Sequence, residues 1–467
     1  MHEVNLTQRP LATLASILPK DQAGRFRDTV ATGAEAFTGR AIWHVNATAT
    51  GGGVAEMLYP QLGYALAGGI RARWLTLDGN SEFFAITKRL HNAIHGMGDP
   101  AALGPATHAP YDRVLDQNAE DMLRLVQPQD LVMLHDPQPA GLVAPLQRAG
   151  LRVAWRSHIG IDRPNEQSVA AWDFLRTYIE SADAFVFSRL QYAPPWIPPE
   201  RLWIIPPSID PLAPKNRPIP PRQRLRILSN AGLLSADGAT PSPVVQGAPP
   251  PQPDARVVVQ VSRWDRLKDM PGVMAGFARA RLPGDVHLML VAPAVTGVSD
   301  DPEGAEVQAE CLAYWHELPG NIRRHISLVS VPMDDLVQNA TIINAIQRHA
   351  SVVVQKSLAE GFGLTVAEAM WKGKPMVASA VGGIQDQITD ELNGLLVDPG
   401  DLDAFALALE RLLGDQYLAD RLGHAARRQV RSHFLDDRQI TQSIELFETM
   451  LNDRAREPET PSATSAT

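Results

Sequence analysis

Short runs of almost wholly apolar residues recur along this chain, and helical stretches separate them. Runs that are apolar nearly throughout are typical of parallel strands that helices cover on both faces. The predicted strands are Arg40–Asn46, Leu131–Asp136, Arg152–His158, Ala184–Ser188 and Leu202–Pro206, then Ala255–Ser262, His287–Pro293, Ile326–Val331, Ser351–Gln355 and Pro375–Ser379. The pattern predicts an α/β chain with two doubly wound, Rossmann-like parallel sheets. A site is then expected at the carboxyl ends of the strands.

Prolines are concentrated between the two groups of strands, where helices and strands tolerate them poorly. We therefore predict a first domain at 39–215, a proline-rich linker and insertion at 216–254, and a second domain at 255–435. An N-terminal extension (1–38), a C-terminal helix (436–454) and a disordered tail (455–467) complete the division. The stretch Ser235–Asp254 is interpreted as a flexible surface loop or linker without chemistry.

Charge and cysteine content exclude several classes of protein. Lys and Arg number 43 against 52 Asp and Glu, a net charge of −9, so a nucleic-acid partner is not expected. No apolar run reaches the roughly 18 residues that suggest a membrane-spanning helix, and the N-terminus lacks the pattern of a secretion signal. The single cysteine, Cys311, rules out an internal disulfide and is interpreted as a small buried side chain. These features predict a cytoplasmic protein that does not enter a membrane.

Gly51-Gly52-Gly53 follows the first predicted strand and opens a predicted helix, Val54–Ala67. Glycines let a ligand approach the backbone closely, and a helix N-terminus offers amides to an anion. We favour contact with a phosphate or a sugar here over a plain flexible turn. The spacing does not match the dinucleotide fingerprint, because Glu56 stands where the third glycine would be.

Two motifs of the second domain carry further candidates. Arg263 and Lys268 stand five residues apart just past a predicted strand and could clamp a diphosphate, although acidic neighbours leave an ordinary solvated loop equally open. In the segment EGFGLTVAE, a glycine turn at a helix start joins Glu360 to Glu368, an arrangement that could hold a phosphate and hydroxyl groups. Helix capping is the commoner role of an isolated Glu, but the pair is more specific. Gly382-Gly383 is either another close backbone approach or a plain turn.

Other catalytic schemes lack their motifs. The sequence has no P-loop, no nucleophile elbow and no H-E-x-x-H helix, and its thirteen histidines suggest no metal-ligand cluster. The only D-x-D triplet, Asp401–Asp403, opens a predicted helix and is interpreted as a cap rather than a Mg²⁺–diphosphate clamp. We therefore expect no metal site and a reaction that does not require a metal, although Mg²⁺ could stimulate it.

The two Rossmann-like halves, the R-x4-K spacing of Arg263 and Lys268, and the E-x7-E motif with its internal GFG together resemble the retaining glycosyltransferases of family 4. These enzymes have the GT-B fold, in which two domains face a central cleft. The segments WHVNATATGGGVAEML, LHDPQPAGL and WRSHIGIDRPN are similar to trehalose-forming and trehalose-cleaving members, above all to trehalose glycosyltransferring synthases. The first 38 residues and Ser235–Asp254 have no counterpart in this resemblance.

The resemblance implies a role for each candidate residue. Arg263 and Lys268 would hold the donor diphosphate, Glu360 would accept a hydrogen bond from a glucose hydroxyl, and Glu368 would bind the ribose. Further donor contacts would come from Gly52, Gly53, Gly361, Phe362, Gly363 and Leu364. His158 would line the reaction centre, and Asp136 and Glu56 would contact the acceptor glucose.

The resemblance also implies a reaction. Glucose would pass from UDP-, ADP- or GDP-glucose to free glucose, reversibly, to form trehalose without a required cofactor. Retention without an evident nucleophile implies transfer on one face of the sugar, with the leaving phosphate deprotonating the acceptor. A trehalose phosphorylase, a non-catalytic sugar-nucleotide-binding protein and, more remotely, a UDP-sugar epimerase remain alternatives. The oligomeric state is open, a homodimer included.

Overall fold

The chain divides into two compact units in a computed structural model that describes residues 1–50, 52–235, 245–295 and 303–456. The first unit comprises Met1–Pro206 together with the segment that begins at Asp436, and the second comprises Pro207–Leu435. Each unit is built on a seven-stranded sheet as far as the described residues go. The predicted fold class, two doubly wound α/β sheets, is confirmed.

The sheet of the first unit is parallel except at one edge. Its order is β1-β3-β2-β4-β5-β6-β7, and β1 pairs antiparallel with β3. The strands are β1 (His2–Glu3), β2 (Ile42–Asn46), β3 (Ala72–Thr76), β4 (Leu131–His135), β5 (Arg152–Ser157), β6 (Ala184–Phe187) and β7 (Leu202–Ile204).

Helices cover both faces of this sheet, and one comes from the far end of the chain. The helices are α1 (Leu11–Ala15), α2 (Lys20–Ala36), α3 (Gly53–Ala67), α4 (Ser81–Ile94), α5 (His108–Leu123), α6 (Val143–Arg148), α7 (Glu166–Ile179) and α17 (Asp436–Arg456). Phe447 of α17 meets Phe37, which follows α2, edge to face with ring centres 6.4 Å apart. A Cβ on Gly33 of α2 would lie 2.7 Å from Ile444, so the absence of a side chain there permits the close packing of α17.

The sheet of the second unit repeats the design. Its order is β14-β13-β12-β9-β10-β11-β8, with β8 antiparallel to β11 and the other pairs parallel. The strands are β8 (Val245–Gly247), β9 (Arg256–Val261), β10 (Val286–Pro293), β11 (Ile326–Val331), β12 (Val352–Gln355), β13 (Met376–Ser379) and β14 (Leu395–Val397). The helices are α8 (Pro221–Asn230), α9 (Met270–Arg279), α10 (Glu303–Glu317), α11 (Gly320–Arg323), α12 (Leu336–His349), α13 (Leu364–Trp371), α14 (Ile384–Gln387), α15 (Leu402–Gly414) and α16 (Gln416–His433).

All ten predicted strands are confirmed, but four strands were missed: β1, β3, β8 and β14. Three of these lie at sheet edges and have only two or three residues, too few for a pattern to register. β8 corrects the interpretation of Ser235–Asp254 as loop throughout, because Val245–Gly247 pairs with β11. Residues 236–244 of that segment, Gly51, and 457–467 of the predicted tail lie outside the described residues.

Each sheet has one point at which the order of its strands reverses. In the first unit the chain goes from β2 to β3 on one side and then to β4 on the other; in the second it goes from β9 to β10 and later to β12. The two loops that leave the carboxyl ends at such a point diverge to opposite faces and open a crevice, which is where open α/β sheets bind ligands. Ligand crevices are therefore expected above β2/β4 and above β9/β12.

Two smaller expectations can be compared with the described residues. Cys311 is buried, as predicted, and burial raises its pKa to about 12. Within the described ranges, none of the helices combines the length and apolar character that crossing a membrane takes.

Candidate active site

The candidates of the first unit lie at the carboxyl edge of its sheet. Gly52 and Gly53 follow β2, Asp136 follows β4 directly, and His158 follows β5. Asp136 and the glycines therefore flank the point where the strand order reverses.

Asp136 adopts a left-handed backbone conformation, with φ of 66°. Its N–H donates to the carbonyl of Arg156 at 2.7 Å, its carbonyl accepts from Nε1 of Trp155 at 3.1 Å, and its Oδ1 accepts from the N–H of His158 at 2.8 Å. These bonds hold a conformation that costs about 1–3 kcal/mol for a residue with a Cβ. Burial raises the pKa of Asp136 to about 7. The carboxyl group is thus fixed and poised to change charge near neutral pH.

Three histidines form a stacked chain that ends at His158. Nδ1 of His44 lies 3.0 Å from Nε2 of His135, and Nδ1 of His135 lies 3.0 Å from Nε2 of His158. Successive ring centres are 5.3 Å apart. Burial lowers the pKa of His44 to about 3 and the pKa values of His135 and His158 well below their ordinary value. The sequence analysis missed His44 and His135, although both lie on strands that it predicted.

Arg156 lies beside this chain, and Arg438 lies near Arg156. Arg156 of β5 is 2% exposed and donates from Nη2 to the carbonyl of Ile205 at 2.9 Å. Burial lowers its pKa to about 9, and the pKa of Arg438 on α17 is lowered to about 10 for the same reason. The positive charge of Arg156 also opposes protonation of all three histidines. The imidazoles are therefore neutral at physiological pH.

Gly52 precedes the first turn of α3 in an extended conformation, with φ of −146°. A Cβ built there would meet no heavy atom of the described residues within 4 Å. Neither the backbone nor the packing of this unit therefore requires glycine at this position. Glu56, in the first turn of α3, is exposed.

The second unit joins two of the predicted residues across its own crevice. Lys268 follows β9 and Glu360 follows β12, and Nζ of Lys268 lies 2.8 Å from Oε2 of Glu360. The hydroxyl of Ser357 also donates to Oε2, at 3.2 Å. Both charged side chains are largely buried, with 15% and 12% exposed. This pair places a cation and a carboxylate side by side where the strand order reverses.

A buried glutamine connects the two loops that carry this pair. Gln260 of β9 donates from Nε2 to the carbonyl of Lys268 at 2.7 Å and accepts at Oε1 from the N–H of Lys356 at 3.0 Å. Lys356 is itself 1% exposed; it forms an ion pair with Asp269 and donates to the carbonyl of Pro399 at 2.8 Å. Lys356 is thus committed to the protein's own structure. Gln260 and Lys356 are the residues of this half that the sequence analysis missed.

Arg263 lies in the loop of Lys268 and is about half exposed. Its Nη2 lies 3.3 Å from Oδ2 of Asp265, whose Oδ1 accepts from the N–H of Leu267. The acidic neighbour that made this loop ambiguous in the sequence therefore shapes the loop and contacts Arg263.

The GFG turn opens α13 through its last glycine. Gly363 has φ of 86°, the left-handed region that favours glycine. The ring of Phe362 packs against Phe434 with centres 5.5 Å apart and is 5% exposed, so only the backbone of Phe362 is placed to meet a ligand. A Cβ on Gly383 would lie 2.6 Å from Cα of Phe362. Gly383 thus packs directly on the turn, and Leu364 is the partly exposed first residue of the helix.

Glu368 lies in α13 and is 1% exposed. Its Oε1 lies 3.3 Å from Nζ of Lys215, and the ammonium group of Lys372 donates to its carbonyl at 3.0 Å. A ligand reaches the carboxylate of Glu368 only if the side chains that bury it, Lys215 among them, move. The predicted contact of Glu368 with a ribose therefore requires a movement of side chains that the sequence did not reveal.

No group of three or more His, Cys, Asp or Glu side chains is arranged to hold a metal ion within the described residues. Asp401 caps α15, accepting from the N–H groups of Asp403 and Ala404, as its D-x-D pattern predicted. The expectation of metal-independent chemistry stays a prediction.

Two family models match the chain. The model described as the N-terminal domain of trehalose synthase matches residues 44–194, and the model of group 1 glycosyl transferases matches residues 254–429. Among curated proteins, trehalose synthase of Rubrobacter xylanophilus is 34% identical over 455 residues, which are 97% of this chain and 99% of that protein. Trehalose phosphorylase of Grifola frondosa is 26% identical over 82% of this chain and 54% of its own length.

The fold is also found in solved structures. A crystal structure of α,α-trehalose 6-phosphate synthase from Burkholderia multivorans superposes with a TM-score of 0.67 at 17% identity, over 89% of this chain and 98% of that one. At this identity the likeness shows the fold, which is that of GT-B glycosyltransferases.

Proposed function

The chain belongs to the trehalose synthase family and is a glycosyltransferase, and from this premise we propose that it moves glucose from a nucleoside-diphosphate glucose to free glucose, reversibly, to form trehalose. The second unit holds the donor and the first unit holds the acceptor.

The pair of Lys268 and Glu360 is the observation that carries the proposal. A nucleotide sugar bears a diphosphate joined directly to the sugar. Its site therefore needs a cation for the diphosphate and, within hydrogen-bonding distance of that cation, a group that accepts a hydrogen bond from a sugar hydroxyl. The 2.8 Å contact at the reversal point of the second sheet supplies that combination. On binding, the diphosphate becomes the partner of Lys268, and Glu360 turns to the glucose hydroxyls. Arg263 in the same loop adds a second cation.

The transfer breaks the bond between C1 of the glucose and the diphosphate oxygen and forms a bond from C1 to the acceptor hydroxyl oxygen. The acceptor proton passes to the departing phosphate oxygen, on the same face of the sugar. Lys268 and Arg263 stabilise the negative charge that develops on the leaving group. Asp136 and His158 orient the acceptor hydroxyls, and the amides of the GFG turn face the donor.

Trehalose phosphorylase is the second candidate, and the covered carboxylate of Glu368 favours it. Inorganic phosphate has no ribose, so a phosphorylase would not need that carboxylate exposed. Comparing Glu368→Gln with Lys215→Met separates the two roles. If Glu368 binds ribose, only its variant raises the KM for the nucleotide, whereas a purely structural ion pair predicts similar losses of stability and unchanged KM in both.

The reaction is tested with purified protein and trehalose, supplied in parallel with UDP, ADP, GDP and inorganic phosphate. Free glucose together with a nucleotide-glucose product supports the proposal and identifies the base. Glucose 1-phosphate formed only with phosphate would reassign the chain to the phosphorylases. If none of the four reactions proceeds, the proposal fails, and binding of each nucleotide sugar should then be measured.

A further inference from the structure

The histidine chain of the first unit rises across the sheet one strand at a time. The register pairs His44 of β2 with Met133 of β4, so His135 lies two residues farther along. It pairs His135 with Arg156 of β5, so His158 again lies two residues farther along. Because side chains alternate between faces, steps of two keep all three rings on one face. The chain runs from the middle of β2 to the carboxyl edge of the sheet.

The hydrogen bonds of this chain constrain one another. A neutral imidazole has one N–H and one acceptor nitrogen, so His135 donates to one neighbour and accepts from the other. If His135 carries its proton on Nδ1, it donates to Nε2 of His158 and accepts from Nδ1 of His44, and all three rings are Nδ1–H tautomers. If the proton is on Nε2, all three rings are Nε2–H tautomers. Mixed arrangements break at least one bond.

The two arrangements differ in the role that they give to Nδ1 of His158. Its Nε2 is engaged with His135, so Nδ1 is the nitrogen left to meet a substrate hydroxyl. Nδ1 is a donor in the first arrangement and an acceptor in the second. The choice is shared with His44, two strands away.

We propose that His44 and His135 are positioning residues that select the tautomer of His158, and through it the hydrogen bond that His158 makes to the acceptor sugar; the catalytic part of this inference rests on the proposed function. The hydrogen-bond partner of the second nitrogen decides which nitrogen of a histidine bears the proton. Here that partner is another histidine, whose own tautomer is fixed in the same way.

The surroundings keep all three imidazoles neutral. Arg156 of β5 acts on all three rings with its positive charge, and Asp136 after β4 accepts from the N–H of His158. Arg438 of α17 lies near Arg156 and near the pair Asp436 and Asp437 that opens α17. Phe447 of α17 meets the ring of His44 edge to face at 6.4 Å, which closes the inner end with an apolar group. Burial and the charge of Arg156 both disfavour a protonated ring.

The test is the ¹⁵N NMR spectrum of the imidazoles in the full chain, which reports each tautomer without reference to activity. We expect His44, His135 and His158 to carry the same tautomer, and His44→Phe to change the nitrogen shifts of His158 although the two rings do not touch. Different tautomers within the wild-type chain would overturn the proposal, as would a His158 signal that His44→Phe leaves in place. Since the first outcome needs no variant, the proposal stays testable even if His44→Phe folds poorly.

Kinetics add a second readout. We expect His44→Phe to lower kcat about tenfold, less than the roughly hundredfold or more that a general acid or base contributes because His158 itself stays in place, with little change in the donor KM. His44→Asn, whose amide lies near the position of Nδ1, should restore part of kcat. The matched control is His108→Phe, which also removes a half-buried histidine and its bond to Tyr178 and should leave kcat and the His158 shifts unchanged. If the wild-type protein neither forms nor cleaves trehalose, the proposed function fails, but the NMR test of the three tautomers still applies.

Discussion

Lys268 and Glu360 were both predicted as candidate site residues, but the sequence analysis did not pair them. Each was chosen because it follows a predicted strand of the second domain, and the two strands prove to be neighbours whose loops meet. Other candidates differ in what they offer a ligand: the ring of Phe362 is packed inside the unit, and Glu368 is covered by Lys215. A residue's position along the chain was predictable, but the direction of its side chain was not, because neighbours distant in sequence decide it.

Lys268→Ala is expected to lower turnover by about a hundredfold or more, since it removes a positive charge aimed at the leaving group. The matched control is Arg266→Ala, which removes an exposed cation of the same loop that pairs with Glu303 and Glu310. The control should keep near-normal turnover, and both variants should unfold cooperatively. Steady-state rates and thermal unfolding check this; near-normal turnover of Lys268→Ala would remove the diphosphate role.

Asp136 should make stability depend on pH in an unusual direction. Its pKa is raised by burial from an ordinary 3.8 to about 7, so the folded state binds a proton more tightly than the unfolded state. The stabilisation that Asp136 contributes to the folded state is present below about pH 4 and is lost as the pH rises toward about 7. Asp136→Asn keeps the acceptor for the N–H of His158 and tolerates the left-handed conformation.

The measurement for Asp136 is denaturant unfolding of both proteins between about pH 4 and pH 8. The wild type should lose more free energy of unfolding than Asp136→Asn across this window. Equal slopes for the two proteins would show that Asp136 is ionised throughout.

At the scale of elements, the apolar runs predicted the central strands well, because a strand buried on both faces must be apolar along its whole length. β3, whose sequence ARWLT includes an arginine, was missed although it lies between β1 and β2 in the sheet. That arginine, Arg73, lies over the ring of Trp43 and pairs with Glu3, contacts that belong to the assembled sheet.

The start of α3 provides a prediction at this scale. Gly52→Ala should lower the free energy of unfolding by about 1 kcal/mol, because alanine is a poorer N-cap than glycine, while the added methyl meets no described atom within 4 Å. If a phosphate or sugar lies against this turn, the same methyl should raise the donor KM severalfold. Gly24→Ala in α2, where a Cβ is equally unobstructed, is the control and should leave KM unchanged. An unchanged KM in Gly52→Ala would leave this turn without a ligand role.

At the scale of the whole molecule, the C-terminal helix is the unexpected part. The sequence predicted a helix after the second domain, and its amphipathic pattern required an apolar partner. Which unit would provide that partner was not encoded in any local pattern. In the structure α17 packs on α2 and α3 of the first unit, so the first unit is made from both ends of the chain.

Ending the chain at Leu435 should therefore destabilise the first unit selectively. Five apolar side chains of α17 are buried, Ile440, Ile444, Leu446, Phe447 and Met450, and at about 2 kcal/mol each they contribute about 10 kcal/mol. That is comparable to the whole stability of a domain. Amide hydrogen exchange of the segments that contain the buried Trp43, Trp74 and Trp155 should report early unfolding of this unit. The control is removal of 457–467 alone, which should leave the unfolding of the first unit unchanged. If ending the chain at Leu435 also left it unchanged, the assignment of α17 to the first unit would be contradicted.

The sequence by itself determined the two α/β units, the positions of their central strands and the motif residues at the strand ends. These follow from burial and backbone geometry over a few neighbouring residues. Only the tertiary structure decided that Lys268 meets Glu360, that Lys215 covers Glu368, that α17 joins the first unit and that three histidines form one chain. Each of these depends on which strands and helices become neighbours, and that order is set by packing between segments that lie far apart in the sequence.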